Sequence, residues 1–175
     1  VGTHTVVLTV EDGSGNSATA NTTVIVHPIP APTTQMPIQE FCVLDYATTA
    51  DILINDNPVV WYSDASATQV MSATDLLTSG IYYAAKVVDT CVGTNLLAVT
   101  IIINDTNPPI GNNPEKICKN QVTTLSDLSI TTSGIVWYAN AQGGMPVNES
   151  TIIYDGDIFY AAQIGVDCES SERLQ

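Results

Sequence analysis

The chain has 175 residues and a formal net charge of −14, because 18 Asp and Glu residues outnumber 4 Lys and Arg residues. This charge excludes nucleic-acid phosphates and anionic membrane surfaces as favourable partners. Its apolar runs are strand-sized, far short of the roughly 20 residues of a membrane-spanning helix, so we expect no direct membrane insertion.

Residues 1–27 predict a β-hairpin. The stretches 5–10 and 18–26 are rich in Thr, Val and Ile, and residues 11–16 between them are dense in turn-forming residues. Two strands alone are marginally stable in water, so we interpret them as the last strands of a preceding sandwich domain. The chain opens without Met inside a strand pattern, which indicates an internal piece of a longer protein.

Two linkers are predicted. Residues 28–37 contain Pro28, Pro30, Pro32 and Pro37, a spacing that favours an extended, semi-rigid connection. A second linker covers residues 105–113. These linkers leave two stretches for folded repeats, residues 38–104 and 114–175, which we call the first and second repeat.

A framework of cysteine, Trp-Tyr, aromatic-Tyr-Ala-Ala and cysteine occurs in each repeat. The spacing from the first cysteine to the tryptophan is 19 residues in both copies. A pattern that recurs at about 76 residues predicts an array of similar domains. Its members are Cys42, Trp61-Tyr62, 82–85 and Cys91 in the first repeat, and Cys118, Trp137-Tyr138, 159–162 and Cys168 in the second.

Short β-rich segments separated by turn residues every 8–12 positions predict an all-β fold of antiparallel sandwiches. The last strand of the second repeat is largely missing, which predicts an open sheet edge and an exposed core there. The predicted strands are 38–43, 50–54, 58–63, 68–72, 80–88 and 95–103, then 115–118, 127–130, 134–139, 145–147 and 157–164.

The aromatic residues of the framework are the candidate core. Trp61 and Trp137 are expected between the two sheets of each sandwich. Strand alternation places Tyr62 and Tyr138 on the opposite, exposed face, where they are candidate sugar-stacking platforms. The same alternation assigns to the core Ile81, Tyr83, Ala85 and Val87, and their counterparts Ile158, Tyr160, Ala162 and Ile164.

Each repeat holds two cysteines, and domains of about 70 residues often need a covalent staple. We therefore expect the disulfides Cys42–Cys91 and Cys118–Cys168, each closing a loop of about 50 residues and stabilising the fold by about 4 kcal/mol. The alternative is four buried free thiols in a cytosolic protein. The wide cysteine spacing argues against zinc or redox sites.

The Cys…Trp-Tyr…Gly-x-x-Tyr…Cys arrangement resembles the tandem Ig-like repeats of large secreted surface proteins of the Bacteroidota. The sequence of residues 1–20 is similar to the end of a hyaline-repeat (HYR-like) domain. The two domain types occur together in giant cell-surface adhesins, including the SprB-like gliding-motility adhesins. The resemblance implies export by type 9 secretion and an extracellular location on the outer membrane.

The repeats depart from true immunoglobulin domains in one respect. There a tyrosine lies two residues before the second cysteine, whereas Tyr83 and Tyr160 each lie eight residues before theirs. The second cysteine is therefore expected in the turn before the last strand, so that each disulfide would tie one pole of its sandwich.

No catalytic motif is recognisable, and we expect no enzymatic activity. His4 and His27 are the only histidines and lack metal-ligand spacing. Calcium is the one cofactor that the loops could bind, through Asp12 and Asn16 in the hairpin turn or Asn104 and Asp105 in the second linker. The alternative interpretation of these residues is ordinary Asx-rich turns.

Three functions compete. The first is a non-catalytic stalk of a cell-surface adhesin, acting in gliding motility or surface attachment, with neighbouring repeats of the same chain as partners. The second is direct adhesion to surface polysaccharide or other outer-membrane proteins through Tyr62, Tyr138 or the open edge. The third is an accessory domain of a secreted enzyme.

Overall fold

The protein is described from a computed structural model that defines residues 2–118 and 121–175. These residues form ten β-strands and three 3₁₀ turns, so the all-β prediction is confirmed. The strands are β1 (Gly2–Glu11), β2 (Ser17–Val26), β3 (Ile38–Cys42), β4 (Val59–Tyr62), β5 (Val70–Met71), β6 (Gly80–Val88), β7 (Cys91–Asn104), β8 (Ile135–Tyr138), β9 (Pro146–Val147) and β10 (Tyr160–Gln163). The 3₁₀ turns are Val43–Asp45, Thr49–Asp51 and Leu125–Asp127.

Strands β1 and β2 form the predicted hairpin, paired antiparallel from Gly2 opposite Val26 to Glu11 opposite Ser17. The Asp12 carboxylate closes the turn by accepting the backbone N–H groups of Ser14 and Asn16, each at 2.9 Å. Every residue of both strands is exposed, because no third strand is paired with the hairpin in the described chain.

The strands of the first repeat form a five-stranded sheet in the order β3-β7-β6-β4-β5. Strand β4 is antiparallel to both β5 and β6. Strand β3 is parallel to the end of β7, with Ile38 opposite Thr100 and Cys42 opposite Asn104. The sheets are thus mostly antiparallel, with one parallel edge pair that the sequence pattern did not indicate.

The second repeat forms a three-stranded sheet, β10-β8-β9, with the same register. Trp61 lies opposite Ala84 and Met71, and Trp137 lies opposite Ala161 and Val147. The duplicated sequence framework is therefore also duplicated in strand pairing.

Two predicted strands, 50–54 and 127–130, are replaced by 3₁₀ turns and irregular segments. In each repeat a threonine precedes the turn and an aspartate three residues later accepts its N–H and hydroxyl hydrogen bonds: Thr48 with Asp51 at 2.7 and 2.8 Å, and Thr124 with Asp127 at 2.8 Å for both. These local bonds stabilise a turn in place of an extended strand. The predicted strand 115–118 is likewise absent.

The chain divides into two compact units, one made of 1–37, 53–71 and 82–99, the other of 38–52, 72–81 and 100–175. In the first unit, the proline-rich segment is attached to the repeat that follows it. Thr33 donates its N–H and hydroxyl hydrogens to Asp56 at 2.8 and 2.9 Å, and Asn95 donates to the Ile29 carbonyl at 2.9 Å. The predicted domain boundaries themselves stay predictions.

Burial of the framework differs from the alternation prediction. Trp61 and Trp137 are buried as expected, but Tyr62 and Tyr138 are buried too, at 8% and 5% exposure. Tyr83 and Tyr160 are only half-buried, whereas the Ala84-Ala85 and Ala161-Ala162 pairs are fully buried. Side chains on both faces of β4 and β8 are therefore buried. Strand alternation alone wrongly assigned Tyr62 and Tyr138 to an exposed face. The predicted core residues Ile81, Ile158 and Ile164 are exposed.

Candidate functional site

The predicted disulfide pairing is wrong. The structure joins Cys42 to Cys168, with a Cα–Cα distance of 5.5 Å, and leaves Cys91 and Cys118 as exposed free thiols. Cys42 pairs in register with Asn104, the last residue of β7, whereas Cys91 is the first residue of that 14-residue strand. The two ends of such a strand lie on the order of 40 Å apart at about 3.3 Å per residue, far beyond disulfide reach.

The segment after β7 holds Cys168 next to Cys42. The Thr106 hydroxyl donates to the Cys168 carbonyl at 2.7 Å, and the Asp105 carboxylate accepts the Ser171 N–H at 2.9 Å. Asn104 is the register partner of Cys42. Asp105 and Thr106, which follow it, form the hydrogen bonds that hold Cys168 beside Cys42. The pairing therefore follows from the parallel β3–β7 edge, which the Cys spacing did not reveal.

Tyr138, one of the two tyrosines predicted to stack on sugars, is covered by the segment 169–174. Its hydroxyl donates to Glu169 Oε2 at 2.7 Å, and the Arg173 guanidinium lies 3.4 Å from the ring centroid. Arg173 is itself held by the carbonyls of Asn140 and Gly143, at 2.9 and 2.8 Å. The face of the tyrosine that stacking on a sugar would need is thus occupied by a cation.

The electrostatics of this cluster favour the neutral phenol. Burial raises the pKa of Tyr138, and the hydrogen bond to the Glu169 carboxylate raises it further, while Arg173 acts in the opposite direction. Sequence reasoning overlooked Arg173 and Glu169. The sequence offered one signal for these residues: Arg173, one of the four Lys and Arg residues of the chain, follows Glu169 by four positions.

The segment 169–174 also pairs along β10. Ala161 and Leu174 exchange two backbone hydrogen bonds at 2.7 and 2.9 Å, and the Ser170 N–H donates to the Gln163 carbonyl at 2.8 Å. Leu174 packs on the core cluster of Leu125, Trp137 and Ala161. The predicted open edge is therefore covered along β10 itself.

The carboxylates proposed for calcium already accept protein hydrogen bonds. Hydrogen bonds from Asn16, then from Ser14 and Gly15, lower the pKa of Asp12. Partial burial raises the pKa of Asp105, but the bonds from Ser171 and Thr106 outweigh it and lower the pKa. The Asn104 side chain donates to Glu40 at 2.8 Å. No group of three His, Cys, Asp or Glu side chains gathers at a metal-binding distance within the described chain.

A cleft of about 830 Å³ opens beside the core of the second repeat. Its lining includes Ile130, Trp137 and Leu174, together with residues 112–115, 117–118 and 152–159. Glu115, Asp155 and Asp157 place carboxylates along it. This volume is typical of a ligand-binding cavity. The cleft is therefore lined by both apolar and acidic residues.

The described chain has no helix with the length and apolar character that would be required to cross a lipid bilayer. Neither any protein-family model nor any curated protein matches the sequence.

Proposed function

We propose that this chain is a pair of non-catalytic spacer repeats in the stalk of a large secreted cell-surface adhesin that acts in surface attachment or gliding. The observation that carries the proposal is the recurrence of one strand framework, with Trp61 and Trp137 in equivalent registers. Serial copies of one small module are typical of proteins that need length.

Three further features support an extracellular spacer. The Cys42–Cys168 disulfide joins residues 126 positions apart, and such bonds are typical of proteins in oxidising compartments. The net charge of −14 keeps neighbouring chains apart in solution. The proline-rich segment 28–37 is attached to its repeat by the Thr33–Asp56 hydrogen bonds, which limits bending at that joint.

Direct adhesion through the two framework tyrosines has lost its structural basis, because both side chains are buried. Isolated chain on a glycan array should give no specific signal. Saturable binding of one glycan class would favour an adhesive module over a spacer. A catalytic domain in the same open reading frame would favour the accessory-domain alternative, and many further repeats would disfavour it.

Replacement in the parent protein tests the proposal directly. Exchanging residues 28–175 for an unrelated pair of folded β-domains of similar length should preserve attachment, and deleting them should weaken it, since a spacer contributes length. The matched control replaces the pair by a flexible Gly-Ser linker of equal residue number. Loss of attachment in the folded-domain exchange would contradict the proposal.

A further inference from the structure

The Cys42–Cys168 disulfide closes a loop that contains most of the chain. The two cysteines are 126 positions apart in sequence, and their Cα atoms are 5.5 Å apart. All the strands from β4, which begins at Val59, to β10, which ends at Gln163, lie inside this loop. A force that pulls on the chain outside the loop therefore crosses the sulfur–sulfur bond, and the strands inside the loop cannot be drawn out into extended chain.

The part of the chain that leads into the disulfide is already nearly straight. Cys42 is the last residue of the five-residue strand β3. A β-strand rises about 3.3 Å per residue, close to the limit of roughly 3.3–3.6 Å for a fully stretched chain. Strand β3 therefore transmits a load from Ile38 to Cys42 with almost no gain in length.

The part of the chain that follows Cys168 is short and is fastened to the second repeat. Ala161 and Leu174 exchange two backbone hydrogen bonds at 2.7 and 2.9 Å, and Arg173 donates to two backbone carbonyls at 2.9 and 2.8 Å. Once a load breaks these bonds, residues 169–175 lengthen to about 25 Å at roughly 3.5 Å per residue. The disulfide then stops any further extension.

We propose that the Cys42–Cys168 disulfide is a tension bypass, which carries a stretching force past both repeats and fixes the length of the chain even when a repeat unfolds. A repeat that unfolds inside the loop adds no length and bears no load, so it refolds while the force persists. The proposal deepens the spacer function and rests on it in one respect, because a stalk is the kind of protein that carries tension. The stability that a disulfide adds by restricting the unfolded chain is a separate effect.

Stretching of single molecules of the full chain, held at residues 1 and 175, tests the bypass. In the oxidised chain the extension should stop near about 170 Å, which is the reach of the 49 residues that remain of 175 when 126 are bypassed, at about 3.5 Å per residue. A phosphine reductant added to the same tethered molecule should raise this limit to about 610 Å, because the whole chain then extends.

Two variants identify the bond that is responsible. Cys42→Ser should extend to about 610 Å without reductant. Cys91→Ser is the matched control, because it makes the same substitution at an exposed free thiol inside the loop, and its extension should stop where that of the wild type stops. The reductant measurement starts from the folded wild type, so the test does not depend on the folding of Cys42→Ser.

Two results would overturn the proposal. One is extension of the oxidised wild type to the same length as the reduced chain. The other is a limit near about 270 Å, which bridges 42–91 and 118–168 would produce by leaving 76 residues free to extend. Either result would leave the spacer function standing, whereas loss of attachment in the folded-domain exchange would refute the spacer function and leave a measured bypass intact.

Discussion

The two repeats share one framework and differ in the segments that pack beside it. In the first, the 14-residue strand β7 lies between β6 and β3 and buries Val99 and Ile101. In the second, segment 169–174 covers β10 and then leaves a cleft over Trp137. The comparison teaches that the Trp-Tyr and Ala-Ala strands pair in the same register in both repeats, although the segments packed beside them differ.

Replacing each tryptophan by alanine should give the largest change in stability among the tests that compare the two repeats. Trp61→Ala should lower the free energy of unfolding by about 3–5 kcal/mol, and Trp137→Ala by about 1 kcal/mol less, because the cost of a large-to-small change depends on the cavity it creates. Trp137 already borders an open cleft, so its removal adds less new cavity. Guanidinium unfolding followed by circular dichroism measures both. A larger loss for Trp137→Ala would contradict the comparison.

The disulfide is the next test, since it joins the first strand of one repeat to the end of the other. Replacing Cys42 and Cys168 by serine should lower the free energy of unfolding by about 2–5 kcal/mol. Replacing Cys91 and Cys118, the exposed free thiols, should change it by less than about 0.5 kcal/mol. Non-reducing peptide mapping of the wild type should recover only the 42–168 bridge. Recovery of 42–91 or 118–168 would restore the original pairing prediction.

The acid sensitivity of the two repeats should differ. Asp56 forms an ion pair with Lys86 at 2.6 Å, and hydrogen bonds from Lys86 and Thr33 lower its pKa to about 2. A depressed pKa gives stability that is complete above the ordinary value of 3.8 and is lost as the pH falls through about 2. Asp56→Asn should therefore lower the melting temperature at pH 7 and make little difference near pH 2. An equal loss at both pH values would show that the ion pair is not the cause.

The second repeat supplies the control for that experiment. Asp56 and Lys86 correspond by position to Thr132 and Gln163, and among the described residues the buried Thr132 hydroxyl has no hydrogen-bond partner. Thr132→Val should leave the pH dependence unchanged and stabilise the chain by up to about 1 kcal/mol, because it removes an unsatisfied buried hydroxyl while keeping its shape. A destabilised variant would indicate that a bound water satisfies that group.

The Tyr138 cluster gives a smaller, local effect. Glu169→Gln removes the carboxylate that raises the pKa of Tyr138, so that pKa should fall. A raised tyrosine pKa gives stability that is complete below pH 10 and lost as the pH rises through the folded value. Burial, the larger cause of the raised pKa, remains in the variant, so its alkaline dependence should be weaker but still present. Ultraviolet difference titration against Tyr138→Phe isolates the signal. An unchanged midpoint would show that burial alone sets the pKa.

Calcium should have the smallest effect, because Asp12 and Asp105 already accept protein hydrogen bonds. The melting temperature should be the same in 1 mM calcium and in chelator. A site with a Kd one-hundredth of the calcium concentration would instead stabilise the chain by about 2.7 kcal/mol, which a melting curve readily detects.

The sequence by itself determined the all-β class, the leading hairpin and the duplicated framework, because turn residues, β-branched runs and recurrent spacing act locally. The tertiary structure alone decided the disulfide, the burial of Tyr62 and Tyr138, and the cleft. Each of these depends on which distant segment lies beside a strand: β3 beside the end of β7, or Arg173 over the ring of Tyr138. Alternation tells which side chains share a face of a strand, but only the packed chain determines whether one face or both are covered.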